Sequence, residues 1–201
     1  MTWIATIPYE ATEGRLRALY DRVKGPDNNV DNIMLVHSLR PHTMEGHMAL
    51  YKRVLHHSAN TIPGWFLEAI GVYTSMCNRC AYCVEHHFRG MARLLGDEPR
   101  AAAIRRVLEG GELSEVFSPR ETAALGYARK LTQQPAAMVE ADVAALRALG
   151  WDDGEILELN QVVAYFNYAN RTVQGLGVAT DGDILGLSPG DSGDLDNWSL
   201  E

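Results

Sequence analysis

No stretch of this 201-residue sequence comes near the roughly 18–20 consecutive apolar residues that a membrane-spanning helix needs, so no segment is expected to cross a bilayer. Residues 1–10 have neither a basic stretch nor an apolar core of the kind that marks a secretory signal, and the expected location is the cytoplasm. Positive charge is scarce: 18 Lys and Arg stand against 26 Asp and Glu, and none of the basic residues lies beyond Ala179. Nucleic-acid binding needs a basic face, and none is on offer. Period-2 runs of β-branched residues are also missing, which argues against a sheet. Cysteine is rare, with three in the chain, and a polypeptide of this length needs no disulfide or metal to fold.

What is present reads as helix throughout. Leu16, Leu19, Tyr20 and Val23 recur at helical spacing over residues 12–24, and Gly25-Pro26 ends that segment. Asp31 is placed to cap a short helix through Ile33, Leu35 and Val36. Pro41 and Pro63 open two more, the first turning Met44, Met48, Tyr51, Val54 and Leu55 inward, the second carrying Trp65, Phe66, Ala69, Ile70 and Tyr73. A fifth runs from about Cys80 to Leu95 and stops at Gly96. Asp97 precedes the next, and Ser118-Pro119-Arg120-Glu121 is a capping box with proline at the first helical position. Residues 138–149 and 153–175 complete the series. The expected fold class is all-α, about eight helices in one domain over residues 1–180. An acidic tail, residues 181–201, follows and is expected to be solvated. Trp198 near its end is expected to dock on a neighbouring subunit or to belong to a disordered end.

The three cysteines are packed into seven residues, Cys77-Asn78-Arg79-Cys80-Ala81-Tyr82-Cys83, and His86 and His87 follow. In a reducing compartment, a C-x-x-C pair points to redox or metal chemistry. At about 100° per residue, Cys80, Cys83 and His87 fall within about 60° of one another on a helix, whereas His86 lies about 120° from Cys80 and is the poorer partner. A helix N-terminus and a nearby imidazole both favour thiolate, the form that attacks peroxide oxygen or disulfide sulfur. A second sulfur within a turn can then close a disulfide on the resulting sulfenic acid. Glu68 would lie about 18 Å from Cys80 on one unbroken helix. It can join the site only if the chain reverses near Ser75-Met76-Cys77-Asn78, with Asn78 as a local cap.

These residues carry a resemblance. Glu68, the run Cys80-Ala81-Tyr82-Cys83, and His87 resemble the E-x11-C-x-x-C-x3-H pattern of the AhpD-like alkylhydroperoxidases, of the carboxymuconolactone decarboxylase superfamily. Asn78-Arg79-Cys80-Ala81-Tyr82-Cys83 is similar to the N-x-C-x-Y-C form of its peroxidase-related branch, as are Phe166–Arg171 and Gly175–Val178. The resemblance spans roughly residues 10–180. It implies an all-α AhpD-like bundle that assembles as a homo-oligomer (dimer, trimer or hexamer) and uses no cofactor. It further implies a hydroperoxide substrate and an external dithiol reductant. Cys83 is then the peroxide-attacking thiol, Cys80 resolves it, and Glu68 and His87 relay protons. The helix-dipole argument alone would favour Cys80 as the attacking thiol. Tyr82 stands where the better-studied peroxidases have histidine, and it can offer its hydroxyl to a peroxide or a carboxylate. The decarboxylases of the superfamily lack the cysteine pair.

Two other readings stay open. One is a disulfide oxidoreductase or redox sensor without peroxide turnover. The other is a metal-binding module using Cys77, Cys80, Cys83 and a histidine, although zinc sites usually draw ligand pairs from separate segments. Cys77 is expected to be a small core residue, and His37, His42, His47, His56 and His57 surface or packing residues. Met34, Met44, Met48 and the aromatic residues are expected in the core or beside an apolar pocket. Asn160, Gln161, Asn167, Asn170 and Arg171 are expected to make interhelix or intersubunit hydrogen bonds, because buried amides need partners.

Overall fold

Helix-spaced apolar residues bury themselves by packing helix on helix, and the computed structural model, which describes residues 2–189, 194 and 197–200, is built that way. The α-helices among the described residues are α1 (Gly14–Val23), α2 (Asn32–Leu35), α3 (Pro41–Leu55), α4 (Gly64–Cys77), α5 (Ala81–Leu95), α6 (Glu98–Leu108), α7 (Pro119–Gln133), α8 (Glu140–Ala148) and α9 (Asp153–Gly175). Among the described residues there is no strand, only an isolated bridge between Pro189 and Leu200. No helix among them is long and apolar enough to cross a membrane. The local signals hold at most ends. Ser118 and Asp152 form capping boxes at the starts of α7 and α9, and Gly96 ends α5 in the left-handed conformation.

Helix α4 is the axis of the bundle and packs against α5, α7 and α9. Every residue from Phe66 to Val72 is buried, as expected of a helix hydrophobic on all sides. Close approach to α9 depends on Gly71. A β-carbon there would lie 2.1 Å from the ring of the fully buried Phe166. Gly71→Ala is therefore expected to cost about 1–3 kcal/mol through overpacking, read as a lower denaturant midpoint. An unchanged midpoint would show that the two helices part freely.

The expected reversal after α4 is present, and its hydrogen bonding explains it. Arg79 takes a left-handed φ of 57°, its N–H donates to Met76 O at 3.0 Å, and the Cys80 N–H donates to Ser75 O at 2.9 Å. This is a Schellman ending with arginine where glycine is usual. Asn78 does not cap with its side chain, as the sequence suggested. Its amide instead donates to Asn167 and Asn170 on α9, at 3.0 and 2.9 Å. Cys80 thereby becomes the N-cap residue of α5, and α5 folds back along α4.

The solvated acidic tail is a correction. Its described part lies against the helices. Asn32 donates to Ala179 O and Asp181 O, Arg93 donates to Ser188 Oγ, and the fully buried Lys52 donates to the carbonyls of Asp194 and Asn197. Trp198 is buried in its own chain beneath the Arg22 guanidinium, 3.6 Å from the ring centre. The tail does so because its backbone carbonyls satisfy donors that the bundle otherwise leaves unpaired. Asp191, Asp196 and Glu201 lie outside the described residues.

Candidate active site

Glu68 sits on the largely apolar, buried helix α4 and is 1% exposed, so its charge needs compensation within the protein. The reversal at Arg79 supplies it by bringing His87 of α5 alongside, and His87 Nδ1 lies 2.7 Å from Glu68 Oε2. Burial works against the carboxylate, but the attraction and hydrogen bond of His87, with His56 and Arg93 beyond, hold Glu68 below its ordinary value. Phe166 meets the His87 ring edge-on at 4.5 Å between centroids and fixes its plane. With Nδ1 committed to the carboxylate, Nε2 is the nitrogen left for chemistry.

Both motif cysteines are buried, at 1% and 2% exposure, but their settings differ. Cys83 lines a narrow cavity of about 50 Å³ together with Glu68, Tyr82, His86 and His87, whereas Cys80 does not line it. The cavity can hold a few water-sized groups. The two thiols are hydrogen-bonded to each other. Cys80 accepts from the Cys83 thiol, against burial, and also from the Cys83 backbone N–H, and its value falls below that of an ordinary thiol. Cys83 is pushed well up by holding that shared proton and by burial, while the Asn170 amide opposes the shift. The first negative charge on the pair therefore rests on Cys80, at the α5 N-terminus, and the cavity-facing sulfur keeps the proton. Cys77 is half-buried away from this cavity, with its thiol raised by burial.

Three groups that the sequence reading left aside line or adjoin the cavity. His86, the poorer partner by helix angle, packs tilted against Tyr82 at 4.5 Å between ring centroids, and its Nε2 is 3.1 Å from Asp183 Oδ2. Tyr82 donates to the same oxygen at 2.6 Å and accepts from the Ile33 N–H, so its hydroxyl does serve a carboxylate. Asp31 heads α2 without capping it, and its Oδ2 is 4.0 Å from His86 Nδ1. Second, His47 and His56 pack against aromatic rings, in keeping with the expectation, but they do so at the site. His47 lines the cavity beside Tyr165, and burial lowers its value to about 3, with His37 and His87 adding to the shift, so it is neutral. His56 Nε2 approaches Glu68 Oε1 at 3.5 Å and lines a wider outer groove of about 640 Å³. Third, the C-terminal segment lines part of the cavity with Leu187, Ser188 and Leu200. Three of the polar residues of α9 bond between helices as expected: Asn160 reaches the Tyr127 hydroxyl, Asn167 reaches Thr132, and Asn170 reaches Ser75, whereas Arg171 bonds to Asn167 within α9 itself. Asn170 also donates to Cys83, which the motif did not reveal. Among the described residues, no three His, Cys, Asp or Glu side chains converge as a metal site.

Asp31 gives a pH signature. Burial raises its carboxyl to about 6, with His86 opposing and Asp183 adding to the shift. A value above the ordinary 3.8 means that Asp31 favours folding fully only below about pH 4, and that this contribution is lost as pH rises through about 6. Asp31→Asn keeps an oxygen for the Ile184 N–H and removes the buried charge. Its Tm is expected to gain on the wild type at about pH 8 and to lose that gain near pH 4. A difference independent of pH would contradict the raised value.

The fold has clear relatives among solved structures. An uncharacterized peroxidase-related protein from Ralstonia eutropha JMP134 with an alkylhydroperoxidase AhpD core superposes with a TM-score of 0.76 at 22% identity, over 89% of this chain and 92% of the other. A peroxidase-related protein from Silicibacter sp. TM1040 gives 0.75 at 20% identity, over 89% and 91%. A variant of the debrominase Bmp8, in complex with 2,3,4-tribromopyrrole, gives 0.65 at 17% identity, over 83% of each chain. No family model matches the sequence, and a search of curated proteins finds no match. The chain therefore has the all-helical AhpD-like fold, in a single domain.

Proposed function

We propose that this protein is a thiol-dependent peroxidase of the AhpD-like superfamily that reduces small hydroperoxides through a Cys80–Cys83 dithiol/disulfide cycle. The observation that carries the reading is the placing of Cys83 on a narrow cavity of about 50 Å³ that it shares with a buried His87–Glu68 pair. A cavity of that size suits hydrogen peroxide or a short alkyl hydroperoxide. It does not suit a protein disulfide, which disfavours a disulfide oxidoreductase acting on protein partners.

In this mechanism Glu68 orients His87, and Nε2 takes the Cys83 proton, directly or through one water. The Asn170 N–H steadies the sulfur charge as it forms. The thiolate attacks the terminal oxygen of ROOH, the O–O bond breaks, an S–O bond forms, and RO⁻ leaves to be protonated as ROH. Sulfur loses two electrons and the peroxide gains them. Cys80, the more acidic of the two thiols, gives up its proton and attacks the Cys83 sulfenic acid. The S–S bond forms and the hydroxyl leaves with a proton as water. An external dithiol restores both thiols. Homo-oligomeric assembly and a cytoplasmic location belong to the same reading.

The test is steady-state consumption of hydrogen peroxide and ethyl hydroperoxide with a small dithiol reductant. Turnover is expected for the wild type, whereas Cys80→Ser is expected to complete the first oxidation and then stall as sulfenic or sulfinic acid. Formation of the disulfide without turnover would instead favour the redox-sensor reading.

A further inference from the structure

The cavity carries two carboxylates in opposite settings, and only one has a role so far. Glu68 has its charge compensated by His87. Asp31, on the cavity wall with Met34 and His86, is 8% exposed, and its Oδ1 has no hydrogen-bond partner among the described residues. A buried carboxyl oxygen at a cavity is costly unless something in the cavity meets it. The other oxygen, Oδ2, faces His86 Nδ1 at 4.0 Å. The imidazole is in turn held by Asp183, which Tyr82 and the Asn32 N–H anchor. The titratable groups around Asp31 are thus His86, Asp183 and Tyr82, with Tyr51 also near enough to feel its charge.

We propose that Asp31 is the general acid of this site: its carboxyl proton passes to the alkoxide or hydroxide oxygen that leaves when Cys83 attacks a hydroperoxide, and His86 returns a proton to it. The step balances. The O–O bond breaks as the S–O bond forms, the leaving oxygen takes the proton from Asp31, and the Asp31 carboxylate is reprotonated through His86. A carboxyl raised to about 6 is suited to donate near neutral pH, while Glu68, held ionised, serves the base side of the same cavity. Two carboxyls whose surroundings push them apart divide acid from base. The inference rests on the peroxidase reading and adds to it the residue that protonates the leaving group.

The experiment measures single-turnover oxidation by rapid-quench thiol counting in the wild type, Asp31→Asn and His86→Gln. Two oxidants are compared: ethyl hydroperoxide, whose alkoxide must be protonated as it leaves, and peracetic acid, whose carboxylate leaves without a proton. Asp31→Asn is expected to lose about 10²-fold with ethyl hydroperoxide and to stay within about threefold of wild type with peracetic acid. His86→Gln is expected to follow the same pattern more weakly, and it carries the test if the Asp31 variant does not fold. Equal losses with both oxidants, or loss with neither, would overturn the acid role. A wild type that reacts with neither faster than free cysteine would defeat the peroxidase reading itself, and the acid role with it.

Discussion

Replacing Cys83 by serine is expected to abolish peroxide consumption altogether while leaving the helical fold intact. The effect is total because oxygen cannot replace sulfur in either half of the reaction. A serine hydroxyl is not ionised near neutral pH, and it has no stable oxidised state corresponding to a sulfenic acid. The alternative nucleophile, Cys80, does not line the cavity, so its lower thiol value gives it no peroxide to attack. Cys77 is farther removed and its thiol is raised. The check is peroxide loss with excess dithiol, alongside a circular dichroism spectrum showing a folded chain. Full activity in Cys83→Ser would move the chemistry to another residue.

The second large effect is expected at Glu68. Glu68→Gln keeps an oxygen to accept from His87 Nδ1, so the ring keeps its place, but the negative charge that supports a forming imidazolium is gone. The rate of Cys83 oxidation is expected to fall about 10²–10⁴-fold, the usual range for losing general base catalysis. Burial makes this term large, since at 1% exposure no solvent replaces the missing charge. The loss should appear in the first oxidation and not in the later disulfide-forming step, whose nucleophile is Cys80, the more acidic of the two thiols. Single-turnover thiol counting separates the two. A rate within about twofold of the wild type would leave Glu68 a structural partner of His87 and nothing more.

The helices and their ends were largely legible in the sequence, because capping boxes, prolines at first turns and glycine stops are local signals. The reversal between Ser75 and Cys80 was legible for a different reason. Glu68 and the cysteines could meet only if the chain turned, and the Schellman ending at Arg79 is that turn. The relation of Glu68, Cys83 and His87 followed, since it depends on two consecutive helices. The far wall of the cavity did not. Helix angles rank positions along one helix, so they set His86 aside from the cysteines. They carry no information on Asp31, or on Asp183 from a segment about a hundred residues away. The run of acids after Ala179 looked like solvated charge, but Asp183 is buried against Tyr82, His86 and the Asn32 N–H. His56 likewise meets Glu68 only because α3 ends beside α4.

The most direct test of the central claim is a thiol count with peptide mapping before and after one equivalent of hydrogen peroxide. The reduced chain holds three thiols. The account predicts that one remains, Cys77, and that Cys80 and Cys83 are recovered joined in one disulfide-linked peptide. Three thiols still present, or oxidation falling on Cys77 while Cys80 and Cys83 stay reduced, would contradict it.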